Sequence, residues 1–185
     1  MRIITGKLKG RNIPVPNTDL LRPTSDRTKE GIFSVIDARR YFDNTRVLDL
    51  FAGSGNLGFE AISRGAANAL FVDQEAAHLK QIEKTAKIFD VENQISTVTL
   101  DTETFLERKE WGSFDFIFAD PPYDYFWMVE MVDQIMESDL LKKDGYFVLE
   151  HDKRHDFSDH PLCRFSKPYG RTVAAIFRHT DEGFK

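Results

Sequence analysis

Hydrophobic and polar positions change their period along the chain in a regular order. Arg46–Phe51 (RVLDLF) is a short apolar run, as expected of a strand covered on both faces. Asn56–Arg64 has helical spacing and stops at Gly65. Ala69–Asp73 is a second strand, and Glu75–Phe89 a helix with Leu79, Ile82 and Ala86 on one face. The alternation continues through a strand at Ile95–Leu100, a short helix at Thr102–Lys109 and a strand at Phe114–Ala119. A helix at Phe126–Leu140 and a strand at Tyr146–Glu150 follow. Two last strands fall near Cys163–Ser166 and Val173–Arg178, with no helix between them. This order predicts an α/β fold with a mostly parallel sheet and an antiparallel edge.

The first residues break the pattern. Arg2–Thr5 and Arg11–Val15 flank Gly6 and Gly10 and read as a small β-hairpin appended to the core, with Pro14 and Pro16 on an edge. Residues 17–23 read as a loop. Thr24 or Ser25 is the candidate cap of a helix that runs to about Ala38 with Ile32, Phe33 and Ile36 inward. The expected organisation is one domain over 1–185, with 1–23 as hairpin and loop and 24–185 as core.

Two motifs carry chemistry. After the first core strand comes Asp49-Leu-Phe-Ala-Gly53-Ser-Gly55-Asn-Leu-Gly58, a G-x-G-x-x-G spacing on a strand-to-helix turn. Ala52, Gly53, Ser54 and Gly55 would let a ligand approach the backbone, and Asp73 at the end of the next strand suits a ribose diol. The glycines alone fit NAD, FAD and S-adenosylmethionine alike, or a tight turn with no ligand. Asp49 separates them: a carboxylate at the loop entrance repels a pyrophosphate but tolerates a cationic amine and a sulfonium.

The second motif is Asp120-Pro121-Pro122-Tyr123, directly after the Phe114–Ala119 strand. Ligands of open parallel sheets lie outside the carboxyl ends of the strands, so this tetrad falls beside the glycine loop. The prolines fix the backbone. Asp120 and the Pro121 carbonyl then offer two acceptors to an exocyclic amine, and Tyr123 offers a face for a base, worth about 1–3 kcal/mol. A nucleobase amine is a weak nucleophile, so orientation supplies much of the rate. The plainer reading is a rigid turn with a capping Asp.

Composition refines the partners. The chain has 185 residues and a net charge of −5, which by itself argues against a nucleic-acid binder. Residues 1–46 hold ten Lys and Arg against five Asp and Glu, while 47–185 hold fifteen against twenty-five. A basic head on an acidic body suggests a polyanion contact at one end, through Arg2, Lys7, Lys9, Arg11, Arg22, Arg27 and Lys29. The sixteen Phe read as core packing. Cys163, the only cysteine, reads as a packed thiol in a reducing compartment, so a cytoplasmic location is expected, with no membrane span. His151, His155 and His160 match no metal signature and read as surface residues. Tyr169-Gly170-Arg171 could line a base pocket or form a turn.

Together these residues resemble the RsmD family of bacterial 16S ribosomal RNA guanine-N2 methyltransferases. The matching stretches are Met1–Arg11, Arg22–Arg27, Val47–Gly58 with Glu60–Gly65, Phe114–Tyr123, Glu150-His151 and Tyr169-Gly170. The resemblance implies a seven-stranded Rossmann-like class I fold. It implies S-adenosylmethionine contacts at Arg22, Thr24, Asp49, Ala52, Gly53, Asp73 and Asp101, and an amine site at Asp120–Tyr123. Asp101 reads equally well as a helix N-cap. The implied partner is 16S ribosomal RNA in a partly or fully assembled small subunit, with no metal. The chain departs from the family at Asp73, where Glu is common. It departs also at Asn56, where a small residue is common and little change is expected, and at Thr85, where Asn is common. Adenine N6 as the target, or a non-catalytic assembly factor on the same fold, are the alternatives.

Overall fold

The computed structural model describes residues 1–15, 26–182 and 184. Seven strands form one sheet in the order β3-β2-β1-β4-β5-β7-β6. They are β1 (Arg46–Leu50), β2 (Asn68–Asp73), β3 (Ile95–Thr99), β4 (Phe114–Ala119), β5 (Leu141–Asp152), β6 (Cys163–Tyr169) and β7 (Thr172–Phe177). The five strands from β3 to β5 pair in parallel; β7 runs antiparallel to both β5 and β6. The helices are α1 (Asp26–Asp37), α2 (Asn56–Ser63), α3 (Ala76–Phe89), α4 (Thr102–Glu107) and α5 (Met128–Glu137).

Alternation along the strands sorts the core into two layers. Val47, Phe116, Phe118 and Val148 face α1, α2 and α3, while Leu48, Ile117, Phe147 and Leu149 face α4 and α5. Twelve of the phenylalanines are buried in these layers, as the sequence predicts; Phe126 is the one that is largely exposed. β5 starts five residues before the predicted Tyr146, because its first part, Leu-Lys-Lys-Asp-Gly, carries no apolar pattern. α5 begins at Met128, which leaves Phe126 and Trp127 outside the helix.

The head is more tightly held than an appendage. Its two arms meet in a single antiparallel bridge, Arg2 to Asn12, rather than in a two-stranded ladder. The backbone groups that would extend a ladder have other partners. Ile4 and Thr5 N–H donate to the Glu60 carboxylate at 2.8 and 3.0 Å, and Leu8 N–H to Ser63 Oγ at 2.9 Å. Ile3, Leu8 and Ile13 join the same core layer as Phe33 and Phe116, each burial being worth about 2 kcal/mol.

Lys29 corrects a reading of the sequence. It is fully buried, so it cannot meet a phosphate. Its Nζ donates to Arg2 O at 2.7 Å and Asn56 Oδ1 at 2.8 Å, and lies 3.2 Å from Glu60 Oε2. Burial holds its pKa below the ordinary value, while Glu60 pulls it back up. Asn56 is therefore a structural partner, and the departure from the family at that position has a consequence. Thr85 is buried and donates to Gln81 O within α3.

Candidate active site

The carboxyl ends of β1, β2, β4 and β5 border a cavity of about 550 Å³. Asp49, Ala52, Gly53, Ser54, Asp73 and Asp101 line it from one side, and the Asp120–Tyr123 tetrad from the other. Gly55 caps α2 at the base of the same loop. Arg22 and Thr24, and the predicted loop and cap around them, lie outside the described residues.

The glycine loop is held by two carboxylates. Asp49 Oδ2 accepts from Gly58 N–H at 2.9 Å, and Asp73 Oδ2 from Gly53 N–H at 2.8 Å. Asp73 Oδ1 also accepts from Glu75 N–H at 2.8 Å and lies 3.1 Å from His78 Nδ1. Asp73 thus ties the loop to the end of β2 besides facing the cavity. Gly58 admits the close approach of helix and sheet: a Cβ there would sit 2.3 Å from Phe71 Cε1. Just before the loop, Phe51 has φ 56°, a left-handed conformation costly for a bulky residue. Its ring meets Tyr125 edge-on at 4.9 Å.

Asp49 is almost fully buried. Burial is the main cause that pushes its pKa up to about 8; the Gly58 N–H opposes this, and nearby Asp73 adds to it. Asp101 caps α4: its oxygens accept from Thr104 N–H at 2.7 Å and Thr104 Oγ1 at 2.9 Å, which holds its pKa low. It also reaches the cavity, so capping and ligand contact are compatible.

The tetrad leaves β4 beside β1, as expected. Pro121 is buried, Asp120 half-buried and Tyr123 exposed at 43%. The loop is clamped from β5: Arg154 donates to the Tyr123 carbonyl and is itself held by Asp152 through Nε at 2.9 Å. Pro122 O accepts from Tyr125 N–H at 3.0 Å. Exposed Phe126 and Trp127 stand on the cavity rim next to Tyr123. The aromatic run after the tetrad was their only signal in the sequence. His151 also lines the cavity and is buried, not a surface residue. Its Nδ1 is 2.7 Å from Asp152 O and so carries the proton; burial lowers its pKa. Among the described residues no cluster of His, Cys, Asp or Glu could hold a metal ion, and no helix is long and apolar enough to cross a membrane. Cys163 is half-buried, with its thiol pKa raised by burial.

The basic residues of the head are not all near this cavity. Lys7 Nζ reaches Gln94 Oε1, just before β3, and Arg11 Nη1 reaches Ile88 O at the end of α3. These lie at the amino ends of the strands, opposite the site. His78, on the cavity, is ten residues from Ile88 along α3, about 15 Å. Arg2 and Arg27 stand at the cavity end, near Asn56 and the start of α1.

A seven-stranded sheet with an antiparallel β7, a glycine loop after β1 and a tetrad after β4 define a class I S-adenosylmethionine-dependent methyltransferase. A family model described as "Conserved hypothetical protein 95" matches residues 1–178, and the chain belongs to that family, the RsmD family. It is 36% identical over 185 residues to "Putative rRNA methyltransferase YlbH" of Bacillus subtilis, covering 96% of this chain and 98% of the relative. It is 33% identical over 155 residues to "Ribosomal RNA small subunit methyltransferase D" of Haemophilus influenzae, covering 83% and 79%. Among solved structures, the "putative methyltransferase yhhF" of Escherichia coli superposes with a TM-score of 0.82 at 28% identity, covering 96% of each chain.

Proposed function

We propose that this protein transfers a methyl group from S-adenosylmethionine to the exocyclic N2 amine of a guanine in 16S ribosomal RNA, within a partly or fully assembled small subunit. One observation carries the reading: the two-acceptor tetrad and the carboxylate-lined glycine loop share a single cavity across neighbouring strands. The relatives named as small-subunit ribosomal RNA methyltransferases support the substrate class.

The residues present fit the cofactor. Asp49 is a buried carboxylate suited to an ammonium, Asp73 and Asp101 suit hydroxyl and amine donors, and the cavity is of ligand size. When bound, S-adenosylmethionine supplies an electrophilic methyl on a positively charged sulfur. Asp120 and the Pro121 carbonyl accept the two amine hydrogens, which leaves the nitrogen lone pair directed across the cavity. Tyr123 stacks on the base. The Arg154 clamp keeps the tetrad in place, so little ordering is left to the moment of reaction. After transfer the amine loses a proton to Asp120 or to water.

Incubation with labelled S-adenosylmethionine and small subunits that lack the modification should place the label on a guanine N2. Label on an adenine N6, or none, overturns the assignment.

Asp49 gives a second check. Folded Asp49 keeps its proton up to about pH 8, whereas an unfolded aspartate loses it near 3.8. Folding therefore takes up a proton between these values, and this group's contribution to apo stability falls as pH rises through that window. A bound ammonium favours the carboxylate and offsets the loss. The thermal shift caused by S-adenosylmethionine should thus grow between about pH 6 and 7.5 in the wild type and stay flat in Asp49→Asn, whose affinity falls at least about tenfold. A wild-type shift that is constant over that range removes Asp49 from the cation site.

A further inference from the structure

The head's loop stands away from the main cavity. Lys7 and Arg11 are at the wrong end of the sheet and spend their side chains on Gln94 and Ile88. A second concavity, of about 380 Å³, opens at the correct end. Its walls are the first turns of α1, with Arg27, Gly31 and Ser34, and the β6–β7 turn, with Lys167, Tyr169 and Gly170. Register fixes where it lies. Tyr169 pairs with Thr172, and Thr172 pairs with Asp152 on β5. Thr172 and Asp152 both line the main cavity. The tetrad strand β4, then β5, β7 and β6 are successive neighbours, so Tyr169 stands three strands from the tetrad, about 14 Å at the usual spacing.

The two walls are fitted to each other. A Cβ on Gly31 would fall 2.4 Å from Tyr169 Cε1, so the ring lies flush against the helix. Lys167 Nζ sits 5.5 Å from the same ring's centroid. Arg27 and Lys167 line the groove, and Arg171 follows Gly170 in the turn, before Thr172 on the main cavity; among the described residues neither arginine makes an ion pair or hydrogen bond through its side chain, and Lys167 lies over that ring. Both arginines and Lys167 are exposed, and among the described residues Glu30 is the one acid on the walls. Free cations beside an aromatic ring suit a phosphodiester backbone with a base edge against the ring. A protein partner would ask for an apolar centre, and among the described residues these walls offer only Pro168 and Tyr169.

We propose that the groove between α1 and the β6–β7 turn is the track for the RNA strand that flanks the target nucleotide, with Arg27, Lys167 and Arg171 on its phosphates. It rests on the methyltransferase reading above for the identity of the strand. This would reconcile an acidic chain with a polyanionic substrate: a few cations, placed one lip away from the cavity, give local rather than extended attraction.

The test compares two double variants of exposed residues, Lys167→Ala/Arg171→Ala and Lys7→Ala/Lys9→Ala. Binding to 16S ribosomal RNA is measured without cofactor over a range of salt, and methyl transfer to unmodified small subunits separately. Loss of two phosphate contacts should lower the slope of log affinity against log salt by about 1.5. The groove variant should show that fall and a KM raised about tenfold or more, with kcat and S-adenosylmethionine affinity unchanged; the head variant should show neither. An unchanged slope in the groove variant, or a fall confined to the head variant, overturns the track. A ribosomal protein as the partner would appear as binding to subunits but not to RNA, and overturns it too. Wild type that binds RNA with the expected slope but transfers no methyl leaves the track standing and refutes the activity.

Discussion

Asp120→Ala should abolish measurable methyl transfer, lowering kcat/KM by about a thousandfold or more, while S-adenosylmethionine binds nearly as before. A thousandfold is about 4 kcal/mol of transition-state stabilisation, reasonable for a group that both orients the nucleophile and receives its proton. The cofactor side of the cavity does not depend on Asp120: the glycine loop is held by Asp49 and Asp73, and Asp101 is held by α4. Asp120→Asn separates the roles. An amide still accepts through its oxygen, so part of the orientation survives while the negative charge is lost, and an intermediate rate is expected. Rapid-mix kinetics with isothermal titration of the cofactor provide the measurement. Transfer in Asp120→Ala within tenfold of wild type removes Asp120 from the chemistry; a parallel collapse of cofactor affinity makes its role structural.

What was legible in the sequence follows from where the signal is local. Each core strand announces itself because β1, β2 and β4 are apolar runs bounded by turns. The glycine loop and the tetrad could be placed because a parallel sheet puts every strand-end loop on one edge. The neighbouring order of β1 and β4 then brings the two motifs into one cavity. Signals that depend on contact between distant residues were not legible. Asn56 looked inconsequential because its partner, Lys29, is 27 positions away. Lys29 reads as part of a polyanion contact because it stands in a basic run, and nothing local distinguishes it from Lys9. The direction of the head was equally hidden: composition shows that residues 1–46 are basic, but only the bonds to Gln94, Ile88 and Ser63 show that its loop points away from the site. His151 was misplaced on the surface because the polar stretch after it masks the strand that buries it.

The largest stability effect should come from that misread lysine. Lys29→Met is expected to destabilise the fold by about 3–5 kcal/mol, because it strips one of two cationic partners from a carboxylate with no exposed surface and leaves Arg2 O and Asn56 Oδ1 without their donor. Glu60 receives Ile4 N–H, Thr5 N–H and Arg64 Nε in addition to Lys29, so all its lone-pair positions are in use. The ammonium likewise spends its three hydrogens on Arg2 O, Asn56 and Glu60. For a chain of this length the loss corresponds to a fall in Tm of about 10 °C. Amide exchange at Ile4 and Thr5 should quicken first, since their acceptor is the group left unbalanced. Lys9→Met removes the same charge from the same basic stretch but at an exposed position, and should change stability by less than about 0.5 kcal/mol. The double change Lys29→Met/Glu60→Met should not recover stability, although apolar replacement of a buried pair often does. It leaves Arg64 Nε and two backbone N–H groups without their acceptor. Thermal melts of the three variants decide the matter: equal Tm for Lys29→Met and Lys9→Met would show that the head is not anchored through this network.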